Sequence, residues 1–487
     1  MRKNIDKKKD SKNKDMNQDI EKQDLKNQDT NESADKGKVD KRIYTMTEEK
    51  PVKAVMKMGL PLIAGMFVMA FYNLVDTYFI GKMNDDYQLA AVNLAYPVIL
   101  ILVAISNMIG TGASSLIARS MGAGDKDTAR HTLTAGFVLT FTNSIIVAVM
   151  GHIFMNPLIK LLGASDQSFE YTKEYVSVLL IGSFFFMGSY TFCQLLRAEG
   201  SVQYSMVGMV VGTILNIILD PIFIFTLGMG VKGAALATVI GNAAGAVCSV
   251  MYYVAGKTLL VPDMKKLVPS KRILKEIFWV GVPATLETLL TTTAYIVNNN
   301  LAAGYGDQTV AAMGVSQKVI TLGSYIYQGY ASGLQPLMGY NYGAKNYDRM
   351  LKLMRAGIIV ITGTELLVMV IFGSTAPLII SVFSESEAVI EIGAKVLRAN
   401  MFILIFVGSI STARSSFQAM GKPQYAFLIT VIRQLVLYIP LLLIFNHCFG
   451  FGGLIWAQPV TECIVMVLSI ILLYKNIVGA REKEAIA

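Results

Sequence analysis

Histidine and cysteine are scarce in this chain, with three and four copies among 487 residues. His131, His152 and His447 stand far apart and form no ligand cluster. Cys193, Cys248 and Cys463 fall inside apolar runs and Cys448 at the end of one, without the spacing of metal or redox sites. Metal chemistry and a disulfide framework are therefore not expected, and the thiols read as small apolar filler. The apolar core of a signal peptide is missing as well.

Charge is the next shortage. Asp, Glu, Lys and Arg make up 16% of the chain, against about 25% in ordinary soluble domains. Residues 1–50 hold 14 Lys/Arg and 12 Asp/Glu with almost no large apolar side chains. Such a stretch cannot bury enough surface to offset its ordering entropy, so it reads as a disordered polar tail. The net charge of +9 then belongs mostly to loops flanking a membrane. Nucleic acid is excluded as a partner, because it needs basic residues gathered on a folded face.

Apolar residues are what the chain has in excess, at 53%. A helix crosses the hydrocarbon core with about 20 mostly apolar residues. Runs of that kind lie near 54–80, 88–118, 130–154, 174–195, 204–228 and 233–256, and again near 276–303, 309–339, 355–378, 394–417, 425–447 and 453–475. The fold class is therefore all-α and integral to a membrane, with twelve spans in two groups of six. The domains read as a tail (1–50), a first lobe (51–256), a basic linker (257–275), a second lobe (276–475) and a tail (476–487). Arg119, Lys126, Arg130, Arg197, Lys257 to Lys275, Lys345 to Arg355, Arg414 and Lys422 fall on loops of one side. By the positive-inside rule that side, with both termini, is cytoplasmic.

The two lobes repeat each other. LAAVNLAYPVILI (89–101) answers VAAMGVSQKVITL (310–322), MGAGDKD answers YGAKNYD, and AEGSVQY answers AMGKPQY, all at an offset of 221. MGLP answers VGVP at 222, and GMGVKGAALA answers FGFGGLIWAQ at about 220. Six spans is an even number, so both units enter from one side. Parallel repeats of this kind surround a central cavity in transporters that rock two lobes.

Acids inside apolar runs then stand out. Asp76 lies in the first run, and Asp220, followed by Pro221, lies in NIILDPIFIF of the fifth. An ionised acid at that depth costs several kcal/mol, so it persists where it faces a cavity or a partner. Asn216 and Asp220 are four residues apart and share a helix face. Thr213 and, from the sixth run, Thr238 could add hydroxyls. Two carboxylates, an amide and a hydroxyl converging in low dielectric would bind H⁺ or Na⁺ and be neutralised by it. Pro221 removes a backbone hydrogen bond and is expected to kink the helix beside the carboxylate. The competing reading of Asp220 is a helix N-cap, since Asp-Pro often starts a helix.

The chain at this point resembles the multidrug and toxic compound extrusion (MATE) family. The resemblance rests on NLVDTYFIG (73–81), QLAAVNLAYP (88–97), GTGASSLIARSMGAGD (110–125), RAEGSVQYSM (197–206), LNIILDPIFIF (215–225) and GVKGAALATVIG (230–241), and covers about residues 51–475. It implies that Asp76, Asn216, Asp220 and Thr238 form a cation site in the first lobe, with Na⁺ or H⁺ held at Asp76 and Asp220. Occupancy would bend the first helix and expel the substrate. The second lobe departs from many relatives: Glu287 comes four residues after Pro283, Thr291 and Thr292 occupy the later positions, and run 394–417 has no acid. A second cation site built on those acids is not expected.

Glu287 either faces the cavity and pairs with a cationic drug, or bonds within TLETLLTTTAYIVNNN. Glu365, Glu462 and Arg433 are further charges at membrane depth, Arg433 pairing with one of the acids or lining the cavity. The expected protein is a monomeric secondary antiporter of a bacterial cell membrane. It exports cationic amphipathic small molecules in exchange for H⁺ or Na⁺, takes no other cofactor and is not an enzyme. Its rival is a lipid-linked oligosaccharide flippase, which would line the cavity with cationic residues. A membrane enzyme would need a nucleophile–base or His-rich constellation, and the runs contain none.

Overall fold

A computed structural model describes residues 41–486 apart from positions 84, 264, 384 and 385. Residues 41–47 form a short helix, so the polar tail expected over 1–50 does not extend that far. Its first forty residues lie outside the described ones.

Every apolar run becomes a helix. In the first half these are α1 (Pro51–Gly81), α2 (Asp86–Gly122), α3 (Lys126–Ile153), α4 (Phe169–Ile181 and Ser183–Ala198), α5 (Val202–Pro221) and α6 (Gly230–Val254). The two pieces of α4 meet at 53°. The second half holds α7 (Lys271–Ala303), α8 (Asp307–Gly343), α9 (Tyr347–Ser374) and α10 (Glu387–Ala419). α11 starts as Pro423–Val431, and one continuous run to Ile486 then contains both its remainder and α12. Gly450, at φ 58° and ψ −139°, makes the break between them.

Two boundaries differ from expectation. The linker ends at Ser270, whose side chain caps the first turn of α7. The tail expected from 476 is helical as far as Ile486, because VGAREKEAI has good helix formers. Lys345–Glu484 (2.8 Å) and Arg481–Asp348 (3.3 Å) tie that extension to the α8–α9 corner.

The duplication is visible in the backbone. Gly124 and Lys345 (φ 76° and 56°), Gly200 and Gly421 (φ 79° and 69°), and Gly230 and Gly450 (φ 54° and 58°) are left-handed at matching positions of the two halves. Local sequence thus repeats the same corners. The connector between the halves is held by Glu199, whose Oε2 accepts from Thr258 Oγ1 (2.7 Å), Leu259 N (3.0 Å) and Tyr252 OH (3.4 Å).

The halves meet where α1, α2, α7 and α8 approach the face that bears the linker. Gly112 of α2 lies against the Ile277 carbonyl of α7, and Gly281 of α7 against the Met108 carbonyl of α2. The equivalent crossing pairs Gly59 of α1 with Tyr330 of α8, and Gly333 of α8 with Met58 of α1. At the helix ends, Gly122 lies on the Tyr340 carbonyl and Gly343 on that of Arg119. Small residues are needed here because a Cβ at Gly112 or Gly281 would collide with backbone, which cannot rotate aside. Backbones that approach this closely gain dispersion contact, the main source of helix association in lipid.

Candidate functional site

Four residues of α5, each one turn beyond the last, organise the site in the first half. Gly208, Gly212, Asn216 and Asp220 recur every four residues and so share a face. The glycines admit α6: a Cβ on Gly212 would sit 2.6 Å from the Gly241 carbonyl oxygen, and one on Gly245 would sit 2.9 Å from that of Gly208. This close crossing carries Asn216 and Asp220 up to the flank of α6 at Thr238. All three are buried.

α1 supplies the other acid. The carboxyl group of Asp76 meets that of Asp220 within hydrogen-bonding range. Among the described residues, no donor reaches either oxygen of Asp220, and neither amide atom of Asn216 has a partner. A buried carboxylate without a donor is strongly disfavoured, so the pair calls for a proton or a cation. Two tyrosines complete the cluster. The Tyr72 hydroxyl lies near Thr238 and both acids, and Tyr175 of α4 lies near both acids as well. Neither tyrosine was singled out in the sequence. Tyr72 stands four residues before Asp76, which was the available signal.

Pro221 does not end the helix. The chain continues into one π turn, Ile222–Thr226, with Leu227 N bonded to the Ile222 carbonyl at 2.9 Å. The wider spacing absorbs the missing proline donor. Asp220 accepts no backbone N–H, so the N-cap reading fails.

The charges of the second half mostly neutralise one another. Arg433 donates through Nε to both carboxyl oxygens of Glu462 (2.8 and 2.9 Å) and through Nη2 to Oε1 (2.6 Å). Its partner is thus Glu462 and not Glu365. Glu287 neither stays within its own segment nor faces the cavity freely. Arg414 of α10 bonds to it through Nε at 3.1 Å and through Nη2, and Gln418 adds a bond at 3.4 Å. The sequence had placed Arg414 among loop charges. It lies within α10, inside the run expected at 394–417, and packing turns its side chain toward Glu287 of α7. Glu365 is fully buried in α9, and among the described residues neither of its oxygens has a hydrogen-bond partner.

Among the described residues, the hydrogen bonds joining the halves gather toward the linker-bearing face. Ser115 Oγ donates to the Gln418 carbonyl at 2.5 Å, and Arg119 Nη2 to Glu276 at 3.0 Å. Deeper in, Thr285 Oγ1 reaches the Ala104 carbonyl at 3.4 Å.

Two like six-helix halves closed against each other at one face, with a buried Asp220 paired to a half-buried Asp76 inside one half, define a multi-pass membrane transporter. A family model described as MatE matches residues 61–222 and again residues 283–444. The chain belongs to the multidrug and toxic compound extrusion (MATE) family, with the family domain present twice. It is 29% identical over 435 residues to the multidrug export protein MepA of Staphylococcus aureus (strain MRSA252), covering 89% of this chain and 96% of that one. A MepA from Staphylococcus saprophyticus is 28% identical over 439 residues, covering 89% and 96%. Among solved structures, the outward-facing conformation of a multidrug resistance MATE transporter of the MOP superfamily matches with TM-score 0.85 and 27% identity. That match covers 90% of this chain and 98% of that chain.

Proposed function

We propose that this transporter exports cationic amphipathic compounds in exchange for an inward flow of H⁺ or Na⁺, with its termini in the cytoplasm. The observation that carries the reading is the meeting of Asp76 and Asp220 beside Thr238, Tyr72 and Asn216. Oxygen donors of this kind suit H⁺ and Na⁺ alike. Two carboxylates in contact cannot both stay charged without a shared proton or cation. With the ion bound, α1 is drawn to α5 and the site has no charge left for a cationic guest. With the ion gone, the carboxylates repel, α1 is released, and a cation can take the vacated charge. Competition for one pair of acids is what couples the two flows, because either occupant excludes the other.

Drug export is favoured over lipid-linked oligosaccharide flipping by the state of the arginines. A pyrophosphate-holding cavity needs free cationic side chains, whereas Arg414 and Arg433 are each bonded to an acid. The test is ethidium efflux from vesicles under separately imposed H⁺ and Na⁺ gradients, on wild type and Asp220→Asn. Wild type is expected to respond to at least one gradient and the variant to neither. Unimpaired pumping by the variant would refute the coupling role.

A further inference from the structure

The second half contains a cavity of about 130 Å³ between α7, α8, α10, α11 and α12. Six carboxamides line it: Asn298, Asn299, Gln317, Asn400, Gln434 and Gln458. No Asp, Glu, Lys or Arg is among its lining residues. By the offsets that relate the two halves, Asn298 stands 222 residues after Asp76 and Gln458 stands 220 after Thr238. The same place in the fold thus holds acids in one half and uncharged amides in the other.

We infer that this cavity is a second binding site, for a small uncharged planar group that both donates and accepts hydrogen bonds, such as an aromatic amide or a nucleobase-like ring. The inference rests on the transporter reading but not on the acid pair. A carboxamide offers an acceptor oxygen and two donors without net charge, so a ring of them matches a neutral guest of mixed polarity better than an ion of one sign. Among the described residues, Asn298 Oδ1 is buried with no partner, and Gln434 Nε2 donates to the Thr291 hydroxyl at 3.4 Å. Leaving such a group unpaired is costly, and a hydrogen-bonding guest recovers that cost.

The apolar part of the lining is equally suited. Leu454, Ile455 and the Tyr295 and Tyr438 side chains supply flat or aliphatic surface. The size suits one ring, since a cavity of about 150 Å³ accommodates benzene. Nearby charges do not disturb the site: Glu462 is bonded to Arg433 and Glu287 to Arg414. The composition of α7 and α8 fits this use. Neither helix contains an 18-residue stretch as apolar as those of the other spans, and Asn298, Asn299 and Gln317 are among the polar residues responsible. Polar side chains at membrane depth are costly, and a ligand site gives them something to bind.

The test uses the full chain in detergent with nicotinamide and uracil as probes, both neutral in mildly acidic and neutral buffer. Binding is read by ligand-observed NMR at probe concentrations on the order of 1 mM. At least one probe is expected to bind, with affinity independent of pH in that range. Asn298→Leu and Gln458→Leu should each weaken it about tenfold, and Asp220→Asn should leave it unchanged. Ethidium binding to the Leu variants serves as the folding control. Failure of both probes to bind, or binding that survives both Leu substitutions, overturns the inference. So does binding of ²²Na⁺ that Asn298→Leu abolishes while neither neutral probe binds, because the cavity is then an ion site. These readouts need no transport, so they fail separately from the efflux test.

Discussion

Arg119 of α2 donates to Glu276 of α7 across 3.0 Å, an ion pair joining the two halves at their linker-bearing face. Beside it, the guanidinium lies on Gly421, where a Cβ would meet it. No counterpart pair is possible at the equivalent positions of the repeat, which hold Tyr340 and Ala54. This latch is a feature added to a symmetric closure.

Glu276→Gln should loosen that closure without unfolding the chain. Both side chains are partly exposed, so the expected loss is about 0.5–1 kcal/mol, a few-fold shift in population. Thiol labelling of a Ser115→Cys variant, a near-isosteric change buried at the same face, would report it as a faster reaction from the linker-bearing side. An unchanged labelling rate would show the pair to be ornamental.

The glycine crossings should tolerate much less. Gly112→Val and Gly281→Val place side chains against backbone carbonyls and are expected to abolish efflux. Gly314→Ala and Gly363→Ala are the controls, because a Cβ there meets nothing within 4 Å. In an exposed helix interior the change from Gly to Ala favours the helix by up to about 1 kcal/mol. Thermal stability with efflux, measured on all four variants, separates close approach from a general intolerance of substitution.

Breaking the Arg433–Glu462 pair from one side should be severe. Glu462→Gln leaves a guanidinium that is 9% exposed without its countercharge, at a cost of about 3–5 kcal/mol. The double variant Arg433→Met/Glu462→Met removes both charges and should recover most of the lost thermal stability. If the double variant is as unstable as the single one, hydrogen-bond geometry matters there more than charge burial.

Ethidium binding should depend on pH through the acid pair. Protonation removes the charge that the cation needs, so affinity in wild type should rise as pH rises and the pair gives up its proton. In Asp220→Asn that dependence should shrink and affinity fall roughly tenfold or more. Tyr72→Phe removes a hydroxyl that lies beside Thr238 and the acids and should weaken ion competition more mildly, by about 1 kcal/mol. Equilibrium fluorescence titration across pH checks both variants together.

Much of the site was legible because burying a charge in lipid is costly enough to mark its position. Asp76 and Asp220 stand out against apolar neighbours, and the four-residue spacing to Asn216 follows from helix geometry alone. Tyr72 and Tyr175 were not legible, since tyrosines are common in such helices and only packing shows which ones turn toward acids. Arg414 was misplaced for a related reason. Charge near a helix end reads as loop although the run at 394–417 contains it, and only the packing of α10 puts it opposite Glu287.

Local sequence by itself determined the number of spans, their duplication and the left-handed corners that repeat between the halves. Those properties depend on hydrophobic length and on backbone preferences that act within a few residues. Tertiary structure alone decided which acid meets which base, that Asp76 meets Asp220 rather than lipid, and that the second half encloses amides where the first encloses carboxylates. Such pairings join different helices, between residues 29 to 157 positions apart, and they are set by how closely the helices can approach.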